Sequence, residues 1–367
     1  MIMMETLVKD TLLDPLASAR AHQQAGGRVI GYVGAEIPVE LIIAAKAMPL
    51  QLSGLMVTDF KHADRYLEER FAPSVRAVAE EYLQGRLDFL EALILPRSDD
   101  SAQRLYYYLC ELRRSNRVGG PMPLIYDLAK IPRDSSLTHS EQATRKLAQT
   151  IGAEELALPK AIGLRNRRRE LFAAVNLARI RQNNVQGSFI DRVFRAADLC
   201  DATRFDTALS DWLERNQQKN SIPGPRVLLS GSAPPDDRLH RAVESAGGNV
   251  VAEFGDFASC SAQLPAIPEE GSFAPLAAHY CALTHGPRAF INRAEVTVAR
   301  AQSSQVHGVI QWLIEQEEAL VWDVPAQKRA LATAGIPILS MVRRRWDASD
   351  GAMDEILSFT EGLEDSI

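Results

Sequence analysis

The sequence predicts an α/β protein with two parallel-sheet lobes and a helical segment between them. In its first and last thirds, short apolar runs alternate with helical stretches, which is the order of elements in parallel sheets with crossover helices. The runs are apolar almost throughout, as expected for strands covered on both faces. The middle of the chain contains no such run. We therefore place the first lobe at residues 1–139, the helical segment at 140–220 and the second lobe at 221–367.

The first lobe has four predicted strands, at residues 28–34, 49–54, 92–97 and 123–128. Helical stretches separate these strands, at residues 37–48, 63–84 and 101–115. The stretch at 37–48 begins with proline and small residues. Such residues are typical of a turn that leads from a strand into a crossover helix.

The second lobe repeats the alternation, with predicted strands at 226–232, 249–256, 308–316 and 336–342. Its helices at 236–248 and 324–335 each end in glycine, the residue that favours a left-handed helix C-cap. The segments that begin at Val29 and Val227 share one plan of strand, turn with proline, helix and strand. This echo favours two similar lobes.

The helical segment carries a basic run from Arg165 to Arg169 within LRNRRRELFAAVNLARIRQNN. Such a run could bind a phosphate. On a helix as polar as this one, we favour a solvated face.

Composition excludes several classes of protein. The net charge of −6 leaves no basic footprint for nucleic-acid binding. The first residues lack the cationic start and apolar run of a secretory signal, and no apolar stretch approaches the length of a membrane span. We therefore expect a cytoplasmic protein that binds neither nucleic acid nor membrane.

The chain has four cysteines, and no two of them have the close spacing of a zinc or ferredoxin-type site. Cys110 and Cys200 lie in apolar or helical contexts and are interpreted as buried structural thiols. Cys260 lies in a predicted loop, and its role stays open. Cys281 gives no further signal.

In open parallel sheets, ligands bind beyond the carboxyl ends of the strands. This rule selects five turns, at residues 34–36, 96–100, 231–233, 255–259 and 316–318. Gly34, Glu36, Ser232 and Ala233 are the candidates for substrate binding, because a turn before a helix offers backbone N–H groups to a phosphate or a thioester oxygen. Small residues at such turns also serve steric needs, and Glu36 also suits the start of a helix.

Carboxylates in these turns are the candidates for catalysis. Asp99 and Asp100 follow a buried strand, and one of them is expected to cap the next helix, whereas the functional alternative is a general base or a hard-cation ligand. Glu317 and Glu318 follow another strand, where a solvated loop is the default interpretation. Asp256 is the third catalytic candidate. The sequence has no serine-hydrolase elbow, Walker loop or glycine-rich dinucleotide fingerprint.

Four stretches carry a resemblance to a known family. They are GYVGAEIPVELIIAAKAMPLQLSG, the block HADRYLEERFAPSVRAVAEEYLQGRLDFLEALILPRSDDSAQRL, the stretch VLLSGSAPPDDRLHRAVESAGGNVVAEFGD, and GVI followed by PAQKRALATAGIPIL. Together they resemble the 2-hydroxyacyl-CoA dehydratase and benzoyl-CoA reductase family over most of the chain. The resemblance implies two flavodoxin-like (Rossmann-like) lobes with helical additions.

The resemblance also implies a chemistry. Family members work as two related subunits with an ATP-dependent activator that supplies one electron. A four-iron cluster, held by three cysteines per subunit, passes this electron to an acyl-CoA thioester. The positions that match the family's cysteines are Ala72, Asp99 and Glu317 in this chain. Because iron–sulfur clusters require thiolates and carboxylates suit hard cations, the sequence predicts that the cluster is absent.

Three hypotheses follow. The favoured one is a cluster-free subunit that pairs with a cluster-bearing homologue or with itself, and shapes an acyl-CoA pocket or the docking surface of the activator. The second is a repurposed enzyme in which Asp99, Glu317 and Asp256 act as acid and base or hold a divalent cation. The third is a protein that binds acyl-CoA without chemistry.

Overall fold

The computed structural model describes residues 3–54, 57, 59–216, 220–262, 265–269, 271–283 and 289–364. The helices in chain order are α1 Met4–Leu13, α2 Ala17–Gln24, α3 Val39–Ala44, α4 Pro73–Leu83, α5 Asp100–Arg114, α6 Asp134–Ile151, α7 Leu158–Leu177, α8 Gly187–Ala196, α9 Ala202–Asn216, α10 Arg238–Ser245, α11 Ala258–Ala262, α12 Phe273–Cys281, α13 Arg293–Ser303, α14 Val324–Thr333 and α15 Ala352–Glu364.

The strands form two sheets of four strands each, and every pairing is parallel. The first sheet has the order β2-β1-β3-β4 and the second has the order β6-β5-β7-β8. Their bounds are β1 Arg28–Tyr32, β2 Ala47–Gln51, β3 Ala92–Pro96, β4 Met122–Tyr126, β5 Arg226–Gly231, β6 Asn249–Gly255, β7 Gly308–Ile314 and β8 Ile338–Arg344.

Both sheets therefore have the strand order that begins a flavodoxin-like sheet. The eight predicted strands are all present, and the two-lobed fold is confirmed. The central strands β3 and β7 are buried along their whole length, so their side chains must fit into an apolar layer. This is why the sequence predicts these strands well. The glycines that end α10 and α14, Gly247 and Gly335, have the positive φ that their prediction as C-caps requires.

The predicted helix at residues 63–84 is divided. A single 3-10 turn covers Ala63–Arg65, and α4 begins only at Pro73. Proline at the first helical position fixes φ for a new helix, and it keeps the preceding residue, Ala72, out of the helical region. The sequence therefore contained the signal for this break.

The middle of the chain is helical, as predicted, and no strand occurs between residues 140 and 216. Helices α1, α7, α8 and α9 enclose a core of their own, which includes Phe172, Val193 and Trp212. Helix α12 lies much later in the sequence but packs against α6 and completes the core of the first lobe through Leu276 and Tyr280. The proposed limits of the three regions stay a prediction.

Within the described ranges, every helix is too short or too polar to cross a membrane.

Candidate functional site

The carboxyl ends of both sheets face a shared cleft of about 650 Å³. All five turns that the strand-end rule selects contribute to its lining. Its lining includes Gly34, Ala35, Glu36, Gln51, Arg70, Ala72, Asp99, Arg104, Arg195, Ser232, Ala233, Asp256, Ala258 and Glu317. The cleft thus brings candidate site residues from both lobes together.

Each of the three positions that the sequence resemblance predicts to match the family's cysteines lies at the start of a helical turn. Ala72 precedes α4, and its N–H donates to Ser101 Oγ at 2.9 Å. Asp99 is the N-cap of α5 and accepts a hydrogen bond from Ala102 N at 2.6 Å, which confirms the predicted cap. Glu317 Oε1 accepts from the N–H groups of Ala319 and Leu320, at 3.0 and 2.9 Å. Both carboxylates therefore have a structural task as well as a place in the cleft.

Burial and repulsion between carboxylates act together in this group, which we call the cleft mouth (Ala72, Asp99, Asp256 and Glu317). Enclosure between the lobes, together with the charges of Glu317 and Asp99, raises the pKa of Asp256 to about 7. Burial also raises the pKa of Glu317, although its two backbone hydrogen bonds act in the opposite direction. The Asp256 side chain still meets the solvent in the cleft, so water and salt screen part of the repulsion. Asp256 is thus the carboxyl best suited to hold a proton near neutral pH.

Glu36 lies in the wall of the cleft, is 6% exposed and forms an ion pair with Lys130. Its carboxylate therefore anchors the turn after β1 to the segment after β4. Gly34, in the same turn, has a φ of +78°, a conformation that favours glycine. A Cβ at this position would meet Pro96 Cγ at 3.4 Å, so the turn lies in contact with the end of β3.

The turn after β5 is held by several hydrogen bonds. Ser232 is buried; its N–H donates to Trp312 O at 2.9 Å, and its Oγ accepts from Ile314 N at 3.4 Å. Ala233 O accepts from Trp346 Nε1 at 3.1 Å, and the Arg195 guanidinium donates to the carbonyls of the next two prolines. Helix α10 begins only after these prolines, at Arg238. The turn is therefore rigid. The Ser232 N–H already donates to a carbonyl of β7, so it is not directed to a ligand.

All four cysteines are in the described part of the chain, and none of them lines the cleft. Cys200 is buried as predicted, whereas Cys110 is half-buried. The prediction that Cys260 lies in a loop is wrong. Cys260 belongs to α11, is 4% exposed, and packs in the core of the second lobe, where burial raises the pKa of its thiol to about 12. A thiol in this environment is inert.

The expectation that the basic run forms a solvated helix face is also wrong. Arg168 and Arg169 are buried, at 3% and 7% exposure. Arg169 pairs with Glu40, and Arg168 pairs with Asp198 and Asp206 at 2.8 and 2.6 Å. We call this set, which includes Arg165, the arginine network. The acids that hold it come from α3 and from the α8–α9 region, so helix periodicity in the sequence carries no sign of the pairing.

A small chamber of about 40 Å³ lies between the arginine network and the cleft. Gly34, Ala35, Gln51 and Ala258 line both spaces, so the two adjoin. Arg165 Nη1 binds Asp198 Oδ1 at 2.8 Å in the chamber wall. Sequence reasoning missed this chamber, because only the fold brings α7 to the end of β1.

Among the described residues, one group of three or more His, Cys, Asp or Glu side chains has ligand atoms within 4.8 Å of one another. This group is Asp191, His240 and Glu253, and it is buried outside the cleft. His240 Nε2 lies 2.5 Å from Glu253 Oε1, Arg179 Nη1 lies 3.0 Å from Glu253 Oε2, and Arg195 binds Asp191 at 2.6 Å. Two arginines thus already balance the two carboxylates, and the group joins the helical segment to the second sheet.

The family model described as 2-hydroxyglutaryl-CoA dehydratase, D-component, matches residues 35–357. No curated protein matches the chain. The matched range includes every residue of the cleft mouth, both sheets from β2 onward and the whole arginine network.

Proposed function

The chain belongs to the 2-hydroxyglutaryl-CoA dehydratase D-component family, and from this premise we propose that it is a subunit of a dehydratase-like complex whose cleft binds an acyl-CoA without an iron–sulfur cluster of its own.

The observation that carries this proposal is the chemistry of the cleft mouth. At the three positions that match the family's cysteines, the cleft presents one methyl group and two carboxylates. Thiolates are the ligands that iron–sulfur clusters require. The thiols of Cys200, Cys260 and Cys281 are held in other parts of the fold, with pKa values raised by burial. Among the described residues, no cysteine lines the cleft, which supports a site without a cluster.

The shape of the cleft supports an acyl-CoA site. Its volume falls within the range of about 300–1,000 Å³ that is usual for small-molecule sites. Rigid turns from both lobes form its walls, and Arg70 and Arg104 belong to its lining, where they could bind the phosphates of the coenzyme.

Without a cluster, one-electron chemistry must take place in another subunit. We propose that the partner is a homologous subunit that carries the cluster, and that the ATP-dependent activator docks on the assembled pair. A second copy of this chain would supply no cluster, so a homodimer fits acyl-CoA binding but not reduction.

Co-expression tests this assignment. The chain should co-purify with the cluster-bearing homologue of the same host, and the pair should bind acyl-CoA and show dehydratase activity with activator, ATP and a reductant. A variant in which the cleft is obstructed, Ala233→Trp, should retain assembly and lose acyl-CoA binding. Recovery of the chain alone, with full activity of the homologue in its absence, would contradict the proposal.

A second candidate function rests on the raised pKa of Asp256. A carboxyl group that holds its proton near pH 7 can act as a general acid, with Glu317 or Asp99 as its partner on a thioester or carboxylate substrate. A divalent cation held by the same three oxygen donors is a variant of this candidate. Bound metal in the purified protein, or hydrolysis of acyl-CoA by the isolated chain that is lost in Asp256→Asn and Glu317→Gln, would favour it over the first proposal.

The third candidate, acyl-CoA binding without chemistry, differs from both in one observable. The chain would gain thermal stability with acyl-CoA, since a ligand that binds the native state raises apparent stability. In that case the chain would neither support dehydratase activity in a partner subunit nor turn over acyl-CoA itself.

A further inference from the structure

We propose that His240, a buried residue of α10, is a positioning residue of the cleft: it links two of the turns that line the cleft and holds them most firmly when its ring is charged. Where this link affects acyl-CoA affinity, it rests on the proposed function. Its effect on the two turns is tested without a ligand.

Glu253 holds the turn after β6, which carries Asp256 into the cleft. Its carboxylate accepts hydrogen bonds from His240 Nε2 at 2.5 Å and from the hydroxyl of Ser259, which follows the turn. Arg179 Nη1 pairs with the same carboxylate at 3.0 Å. A side chain that His240 helps to orient therefore closes the turn from residue 253 to residue 259.

Asp191 connects His240 to the turn after β5. Arg195 Nε donates to Asp191 Oδ2 at 2.6 Å. The other nitrogens of Arg195 donate to the carbonyls of Pro234 and Pro235, both at 3.1 Å, and all three residues line the cleft. One carboxylate oxygen of Asp191 lies within 4.8 Å of a ring nitrogen of His240. His240 thus lies between the supports of two cleft turns.

One additional proton on His240 completes this link. Since Nε2 donates to Glu253, the nitrogen that remains is Nδ1, which is buried and has no hydrogen-bond partner among the described residues. In the same part of the chain, Asp191 Oδ1 is also buried without a partner. A neutral ring offers only an acceptor at Nδ1, whereas a charged ring offers a second donor, which Asp191 Oδ1 can accept directly or through one water. The charged ring therefore satisfies two buried atoms at once.

The charges around His240 favour this proton. Burial lowers the pKa of His240, but Asp191 and Glu253 raise it above its ordinary value of 6.5. Arg179 acts in the opposite direction, and Arg195 is the other cation of the group. Helix α15 also packs on α10, and its buried residues are uncharged: Ala352, Ile356, Thr360 and Leu363. The proton therefore stabilises the folded link fully at acidic pH, and this contribution is lost as pH rises through the folded pKa.

Hydrogen–deuterium exchange of the full-length chain, between about pH 5.5 and 8.5, tests the link. Every protein in the series carries Asp256→Asn, because the Asp256 carboxyl has a pKa of about 7 and titrates in the same range. Protection of residues 231–237 and 255–260, corrected for the intrinsic effect of pH on exchange, should fall in one step as pH rises. The expected decrease is about tenfold or more, the usual value of a charge-assisted hydrogen bond.

His240→Gln keeps an N–H donor for Glu253 but carries no charge. It should fold, protect both turns weakly at every pH and lose the step. His139→Gln, at an exposed histidine of α6, is the matched control and should keep the full step. Asp191→Asn retains an acceptor for Arg195 and removes a charge that raises the pKa of His240, so it should move the step to lower pH.

Protection that does not change with pH in the parent protein, a full step in His240→Gln, or an unshifted step in Asp191→Asn would each overturn the link. Calorimetry with butanoyl-CoA over the same pH range forms the second arm. Its affinity should decrease as pH rises in the parent protein and stay constant in His240→Gln. No binding at any pH, with the exchange step present, would contradict the proposed function and leave the link intact. Constant affinity in the parent protein would show that the link does not reach the ligand and would overturn that part of the proposal.

Discussion

The cleft mouth and the arginine network use the same kinds of charged side chain in opposite ways. In the network, Glu40 and Asp198 are buried against arginines, and the pKa values of both carboxyl groups are lowered despite burial. In the cleft mouth, burial and the charges of neighbouring acids raise the pKa values of both Asp256 and Glu317. Matched charges of the first kind hold a fold together, whereas acids gathered with raised pKa values are typical of functional sites.

The largest effect is expected in the network. Glu40→Ala should lower the free energy of unfolding by about 3–5 kcal/mol, because it leaves Arg169 buried without its carboxylate. It also removes the acceptor of the Tyr280 hydroxyl. Urea unfolding followed by circular dichroism measures the change.

Glu141→Ala is the matched control, since Glu141 pairs with Arg145 on the surface at 3.2 Å. This variant should change stability by less than about 0.5 kcal/mol. A similar cost for both variants would show that the network is no more important than a surface pair.

A smaller effect is expected at Asp99, where the structural and electrostatic roles can be separated. Asp99→Ala should destabilise the protein by about 1 kcal/mol, because the N-cap of α5 is lost. Asp99→Asn keeps the cap and removes the charge, so it should be nearly neutral and should lower the pKa of Asp256. If Asp99→Asn is as costly as Asp99→Ala, the cap does not explain this residue.

The smallest effect concerns the pH dependence of Asp256. Its folded-state pKa is raised above the unfolded value, so the folded protein holds the proton more tightly, and this contribution is lost as pH rises from about 4 to 7. After solvent screening, we expect wild-type stability to fall by about 1 kcal/mol relative to Asp256→Asn over this range. Parallel pH profiles of the two proteins would contradict the raised pKa.

The fold could be predicted because its strands are local signals. β3 is apolar at every position and β7 at every position but Gln311. The rule for parallel sheets then places Asp99 at the carboxyl edge of the first sheet, and Asp256 and Glu317 at that of the second. The cap at Asp99 followed from the same reasoning. These features depend on neighbours in the sequence and on one topological rule.

The arginine network could not be predicted, because its partners are distant in the sequence. Glu40 and Arg169 are 129 residues apart, and Glu40 and Tyr280 are 240 residues apart. In the sequence, a run of arginines is equally compatible with exposure to solvent and with burial against acids. Only the tertiary structure decides between these two environments. The burial of Cys260 also depends on packing, since a short helix after β6 turns its thiol into the core.

We propose that the cleft mouth, unlike the arginine network, is the place where a cluster would bind and lacks the thiolate ligands for it. Anaerobic purification and reconstitution with iron and sulfide, followed by iron and sulfide assays and an absorption spectrum, test it most directly. A cluster-bearing homologous subunit prepared in parallel is the positive control. We predict a colourless protein with background iron and sulfide; stoichiometric iron and sulfide with charge-transfer absorption near that of the control would contradict the claim.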